Sequence, residues 1–277
     1  MPKTLYISDL DGTLLTPQIT LSEATKTALR ELTAQGLWFG VATARTWEVC
    51  RHILREVLPL PAPLVLLNGA LVYDSQAGRY LKAALLPPED VAALLRLVKA
   101  QGQTGFLYSF QQEHIIPYHE PITRPTLAAF KQARLDRYLR FVETDDLCAQ
   151  ATKENILYFT TQDTRERLLP LYEAVRAVPT LDCAMYADDY IPGNWYLECF
   201  SCQASKGNAV RYLRKTLAPR EIVAFGDNLN DLSLFAACDK GYATANAREE
   251  LKAAAAGIVG ANTEDGVARF LRDHWKP

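Results

Sequence analysis

Both ends of this 277-residue chain alternate short, continuous apolar runs with stretches of helical spacing, and no other feature restricts the fold as much. Near the N-terminus the runs are "TLYISD" (4–9), "LWFGVAT" (37–43) and "PLVLLNGA" (63–70). Near the C-terminus they are "EIVAFGD" (221–227), "GYATA" (241–245) and "GIVG" (257–260). Between them, "LSEATKTALRELTAQG" (21–36) has helical spacing, with Ser22 as N-cap and Gly36 as stop. "LNDLSLFAAC" and "AREELKAAAA" read as helices, and a closing helix begins near Thr263. Strands without a polar face are buried on both sides, so the pattern predicts an α/β fold: a doubly wound, mostly parallel sheet covered by helices.

The middle of the chain reads differently. From about Lys82 it gives a helix, Pro88 to Ala100, and then aromatic-rich, Pro-dotted segments such as "FLYSFQQEHIIPYHEPITRP" and "YADDYIPGNWYLECF". That texture predicts an inserted α+β domain at 83–196, with 1–82 and 197–277 forming one domain around it. Within the insert, Tyr108, His114, His119 and Arg124 are candidates to face a substrate, whereas Trp195 and Tyr196 read as packing or hinge residues.

Lys and Arg number 30 against 32 Asp and Glu, a net charge of -2, which leaves no electrostatic footprint for nucleic acid or an anionic membrane. The expected partner is therefore a small molecule. "MPKTLYISDLDG" enters a strand directly and no apolar run approaches the length of a membrane span, so a cytoplasmic location is expected. Six cysteines include the spacing "CFSC" (Cys199 to Cys202), but two further ligands at zinc spacing are missing, so scattered reduced thiols are expected.

In an open parallel sheet, ligands sit beyond the carboxyl ends of the strands. The residues there are Asp9 and Asp11, then Thr43 and Arg45, then Asn68, then Asp227, Asn230 and Asp231. Four carboxylates aimed at one crevice repel unless a cation joins them, and Mg²⁺ suits a few carboxylates together with water and phosphate oxygens. Lys206 follows the N-cap Ser205, where the helix dipole disfavours a cation. A phosphate held by Lys206, the Thr43 hydroxyl and backbone N–H groups around Leu10 to Gly12 resolves that conflict.

"DLDGTLL", "VATAR", "SKGNAV" and "GDNLND" stand in the order and spacing of the four motifs of the haloacid dehalogenase superfamily of phosphohydrolases. "NGA" (68–70) and "NTEDGVARFL" (262–271) resemble its Cof-type branch, in which a large α/β cap lies between the second and third motifs. The resemblance covers residues 4–80 and 199–272 and reaches the cap only by position and length. It implies a Rossmann-like core, Asp9 as a nucleophile forming an aspartyl-phosphate, and Asp11 as general acid and then base. It further implies Thr43 and Lys206 as phosphate binders, with Mg²⁺ on Asp9, the Asp11 carbonyl and Asp227, supported by Asp231. Asn230 would touch phosphate or orient its neighbours. One departure is Ala44, where relatives usually carry Gly.

The expectation is a Mg²⁺-dependent phosphatase for small phosphorylated metabolites, sugar phosphates or related monoesters. Asp11 argues against dehalogenation, because a carbon–halogen bond has no leaving oxygen to protonate. Two alternatives stay open. One is a phosphomutase, for which the arginines of "KQARLDRYLR" (131–140) are candidate cap cations; the other is a non-catalytic phosphate-sensing module, which would dispense with Asp9 or Asp11.

Overall fold

The computed structural model describes residues 3–135, 140–188 and 191–277. The chain divides into two compact units, Met1–Ala83 with Ala204–Pro277, and Ala84–Gln203. Each has a hydrophobic core of its own.

In the first unit, strands β1 (Thr4–Ser8) and β2 (Trp38–Val41) flank helix α1 (Glu23–Ala34), whose N-cap Ser22 accepts from Thr25 N at 3.0 Å. Helix α2 (Trp47–Ile53) follows, and then the antiparallel strands β3 (Leu64–Leu66), β4 (Leu71–Asp74) and β5 (Arg79–Ala83). The apolar run at 63–70 is thus not one strand. Leu67 and Asn68 take positive φ (50° and 52°) and turn the chain back after Leu66.

The second unit is built on β6 (Phe106–Gln111), β7 (His114–His119), β8 (Val142–Glu143), β9 (Ile156–Asp163), β10 (Leu181–Ala187) and β11 (Trp195–Ser201). They form a six-stranded sheet in the order β10-β11-β9-β6-β7-β8, in which only β7 and β8 pair in parallel. Helices α3 (Pro88–Ala100), α4 (Pro125–Gln132), α5 (Leu147–Ala151) and α6 (Arg165–Arg176) complete it. Leu94, Leu95, Leu168 and Leu171 from α3 and α6 join Phe159, Leu197 and Cys199 from the sheet in one core. A return near residue 197 falls inside β11, which stays paired to β10 through Ser201, so the chain re-enters the first unit at Ala204.

Back in the first unit come α7 (Lys206–Leu217), β12 (Glu221–Gly226), α8 (Leu232–Phe235), β13 (Lys240–Thr244), α9 (Glu249–Ala254), β14 (Gly257–Val259) and α10 (Gly266–His274). The parallel sheet runs β14-β13-β12-β1-β2, and a bridge from Ala42 to Val65 links its edge to β3. Leu5, Ile7, Ile222 and Ala224 of the central strands pack with Val210 and Leu213 of α7, as runs buried on both faces require. All six cysteines are free, and no helix among the described residues is long and apolar enough to cross a membrane.

Candidate active site

The central strands β1 and β12 are each followed directly by an acid, Asp9 and Asp227. After Asp9 the chain bends through Leu10–Leu14, with Asp11 extended and Gly12 left-handed at φ 75°. Only glycine fits at position 12: a Cβ there would stand 2.3 Å from Asp227 Oδ2. Thr13 Oγ1 donates to Asp227 Oδ1 at 2.9 Å, while Asn246 Nδ2 donates to the Gly12 carbonyl at 2.8 Å, so the loop is fastened on both sides.

Lys206, at the start of α7, is 1% exposed. Its Nζ donates to Asp9 Oδ1 at 2.6 Å and to Asp231 Oδ1 at 2.7 Å. The other Asp231 oxygen accepts from the backbone N–H groups of Asp227 and Asn228 at 3.0 and 3.2 Å. Asp231 therefore braces the loop and orients Lys206. Carboxylate oxygens of Asp9, Asp227 and Asp231 lie within 4.8 Å of one another, a donor set suited to a hard divalent cation. With both Asp231 oxygens engaged, Asp9 and Asp227 have the freer oxygens.

Charge in this cluster is finely balanced. Burial pushes the Asp9 carboxyl up to about 8; Lys206 opposes the rise, and Asp231 and Asp227 add to it. Asp227 is raised by burial against the Thr13 hydrogen bond. Burial alone would lower Lys206, but the carboxylates of Asp9 and Asp231 overcome it and hold the ammonium above the usual lysine range.

Four converging carboxylates become three. Asp11 turns to Arg45 instead, whose Nε donates to Oδ2 at 2.8 Å and Nη2 to Oδ1 at 2.6 Å. Arg45, one of the strand-end residues expected at the ligand site, thus lies on a carboxylate. Thr43, fully buried, accepts from Arg45 N at 3.2 Å, and its carbonyl accepts from Asn68 N at 2.9 Å. Asn230 Nδ2 donates to Asn68 Oδ1 at 3.1 Å, which joins the third and fourth loops. The Leu10 side chain is buried, so this residue can offer a ligand only its backbone. Ala44 is not in a left-handed conformation, so the loop tolerates a side chain there. Gly69 is different, because at φ 100° a Cβ would stand 2.1 Å from the Ser205 carbonyl.

In the second unit, the sequence candidates are mostly engaged in structure. Tyr108 stacks on Tyr158 with centroids 4.1 Å apart, and buried His119 receives Lys131 Nζ at 2.9 Å. Arg124 is tied to Asp163 at 2.6 Å and to the Thr104 carbonyl at 2.8 Å, whereas His114 is exposed. Of the arginines in 131–140, Arg134 lies over the Phe130 ring at 3.7 Å, Arg140 is exposed, and Arg137 lies outside the described residues. Sequence reasoning missed Thr13, Asn246 and Ser8, whose Oγ donates to the Asp9 carbonyl at 2.7 Å. Only Thr13 stood within a motif.

The profile of the haloacid dehalogenase-like hydrolases matches residues 6–271. The chain belongs to that family. Pyridoxal phosphate phosphatase YbhA of Escherichia coli (strain K12) is 27% identical over 274 residues, covering 96% of each chain. The 5-amino-6-(5-phospho-D-ribitylamino)uracil phosphatase YcsE of Bacillus subtilis (strain 168) is 25% identical over 277 residues, covering 98% of this chain and 95% of that one. A haloacid dehalogenase-like hydrolase from Bacteroides thetaiotaomicron has the same fold, with a TM-score of 0.77 at 22% identity over 99% of this chain and 100% of that one.

Proposed function

We propose that this family member is a phosphoric monoester hydrolase, a Mg²⁺-dependent phosphatase acting on small phosphorylated metabolites through an aspartyl-phosphate on Asp9. The observation that carries the reading is one buried carboxylate, Asp9, at the carboxyl end of the central strand, within 2.6 Å of Lys206 and beside Asp227 and Asp231. Burial and the neighbouring acids favour the protonated form of Asp9 against the pull of Lys206, so the site calls for further positive charge to keep Asp9 a nucleophile. Mg²⁺ on Asp9 and Asp227 would supply that charge and neutralise phosphoryl oxygens.

The chain's own residues carry the two half-reactions. An Asp9 oxygen attacks phosphorus as the ester P–O bond breaks, and Asp11 gives its proton to the departing alkoxide. Asp11 then removes a proton from water, whose oxygen attacks the same phosphorus and returns Asp9 as a carboxylate with release of phosphate. Lys206 holds phosphoryl oxygens throughout, and Thr43 with the backbone N–H groups after Asp9 completes the cradle. The relatives named for pyridoxal phosphate and for a phosphoribitylamino-uracil support a small phosphorylated metabolite as substrate. The second unit is read as a cap that selects the leaving group.

A phosphate-release screen with Mg²⁺ over sugar phosphates, pyridoxal phosphate and p-nitrophenyl phosphate tests this. Turnover should be abolished by EDTA and by Asp9→Asn, and readdition of Mg²⁺ should restore the first. No phosphate from any ester, or full rates in EDTA, would refute it.

A further inference from the structure

The sheet of the second unit carries polar and aromatic groups that its core does not use. Phe159, Leu197 and Cys199 join α3 and α6 in that core. The alternate residues of the same strands therefore share the opposite face. Antiparallel pairing sets Glu198 opposite Thr160, Tyr196 opposite Gln162, and Tyr186 opposite Tyr196. Side chains directly opposite are neighbours and long ones also reach diagonally, so these five can close on one small group.

The acceptors on this face are short of donors. Thr160 and Gln162 are each 2% exposed, yet Thr160 Oγ1 and Gln162 Oε1 have no hydrogen-bond partner. Buried polar atoms are ordinarily satisfied, so two bare ones side by side on a strand point to a ligand. The Gln162 amide has a fixed sense. Its Nε2 donates to Asp188 Oδ2 at 3.4 Å, and the same oxygen accepts from Asn194 Nδ2 at 3.0 Å. A carboxylate only accepts, so the amide nitrogen faces Asp188 and Oε1 remains as an acceptor.

Positive charge is short as well. Half-buried Glu198 forms no ion pair among the described residues. Burial raises its carboxyl above the ordinary range, against the Tyr186 hydroxyl and Arg134. Arg134 is occupied elsewhere, donating to the Phe130 carbonyl at 3.3 Å and to the Tyr196 hydroxyl at 3.5 Å. Tyr186 and Tyr196 stack with centroids 5.2 Å apart, and Tyr186 is 43% exposed, which leaves it open to a ligand. A carboxylate, two bare acceptors and aromatic rings are together complementary to an ammonium group.

The geometry points to a binding site for a protonated amine on this sheet face, with Glu198 as counter-charge, Thr160 Oγ1 and Gln162 Oε1 as acceptors, and Tyr186 and Tyr196 as an aromatic wall. Because the second unit is read as the cap, the inference rests on the phosphatase reading and narrows its substrates to phosphomonoesters whose leaving group carries an ammonium. A polyol also donates to such acceptors, but it brings no charge to Glu198.

Glucosamine 6-phosphate and glucose 6-phosphate differ by one amine in place of a hydroxyl, as do ethanolamine phosphate and 2-hydroxyethyl phosphate. In at least one pair the amine member should be preferred about tenfold in kcat/KM. Calorimetry with Mg²⁺ on the Asp9→Asn chain should show the same preference in affinity. Glu198→Gln should bring the preference to about one, and Thr160→Val, which keeps the shape, should lower it. The hydroxyl member is the internal reference, so a general loss of activity cancels from the ratio. Equal use of both members in both pairs, a preference for the hydroxyl members, or an amine preference unchanged in either variant would overturn the site. If no ester, p-nitrophenyl phosphate included, releases phosphate, the phosphatase reading fails, and calorimetry on the wild-type chain decides the amine site by itself.

Discussion

Lys206 shows how far one buried cation can hold a site together. Its ammonium is the counter-charge to two buried carboxylates, at 2.6 and 2.7 Å, so removing it strands both. Lys206→Met, which keeps the apolar stem, is expected to cost about 3–5 kcal/mol. Urea unfolding should show a lower midpoint with an unchanged slope, together with loss of turnover. Asp9→Asn should behave in the opposite way in stability while also abolishing activity. Burial raises the folded Asp9 carboxyl from the ordinary 3.8 to about 8, so between those values the folded chain favours a proton that the unfolded chain releases. Stability from this group is full below about 4 and is lost as pH rises towards 8. Without divalent cation, Asp9→Asn should therefore gain on the wild type as pH goes from 5 to 8. Parallel unfolding curves at the two pH values would show the linkage to be absent.

Among the elements, the contact of α4 with β7 carries a titratable group of opposite sign. Buried His119 donates from Nδ1 to the Glu120 carbonyl at 2.8 Å, and its Nε2 accepts from Lys131 Nζ at 2.9 Å. Burial lowers its pKa from the ordinary 6.5, the Glu120 carbonyl opposes the drop, Lys131 adds to it, and Glu143 opposes it. The unfolded chain thus takes up a proton first, and stability is lost as pH falls from about 6.5 towards the depressed folded value. His119→Gln should flatten the dependence of Tm on pH between 7 and 5; an unchanged slope would remove His119 as its source. In the sequence His119 is only one of four candidates to face a substrate, because a polar residue in an aromatic stretch gives no sign of which way its strand faces. The catalytic loops were legible for the contrary reason. Asp9, Thr43, Asn68 and Asp227 each follow an apolar run directly, so strand position alone brings them to one end of the sheet. What stayed hidden was side-chain choice within that end: nothing in "VATAR" says that Arg45 turns to Asp11. Strand limits were hidden too where pairing sets them, as at β11, whose last paired residue, Ser201, depends on Leu181 in β10.

At the scale of the whole molecule, the two cores share no residue: one draws only on Ala84–Gln203, the other only on the flanking segments. Large clusters that do not overlap are the physical condition for separate folding, because each unit can offset its chain entropy with its own buried apolar surface. The acids, Lys206, Thr43, Asn68 and Arg45 all belong to the first unit, so the proposed phosphoryl chemistry does not require residues of the second. A chain in which 84–203 is replaced by a flexible Gly/Ser bridge should then fold, bind Mg²⁺ with a rise in Tm, and hydrolyse p-nitrophenyl phosphate, whose good leaving group makes little demand on a cap. Discrimination among metabolite esters should collapse, since kcat/KM differences between substrates come from contacts outside the phosphoryl group, and in this reading those contacts reside in the second unit. The decisive measurement is the spread of kcat/KM across the metabolite panel, in the intact and the bridged chains, with circular dichroism to confirm that the bridged chain is folded. A folded, active bridged chain that keeps the intact protein's order of preference would show that specificity lies in the first unit, and the cap assignment would have to be abandoned.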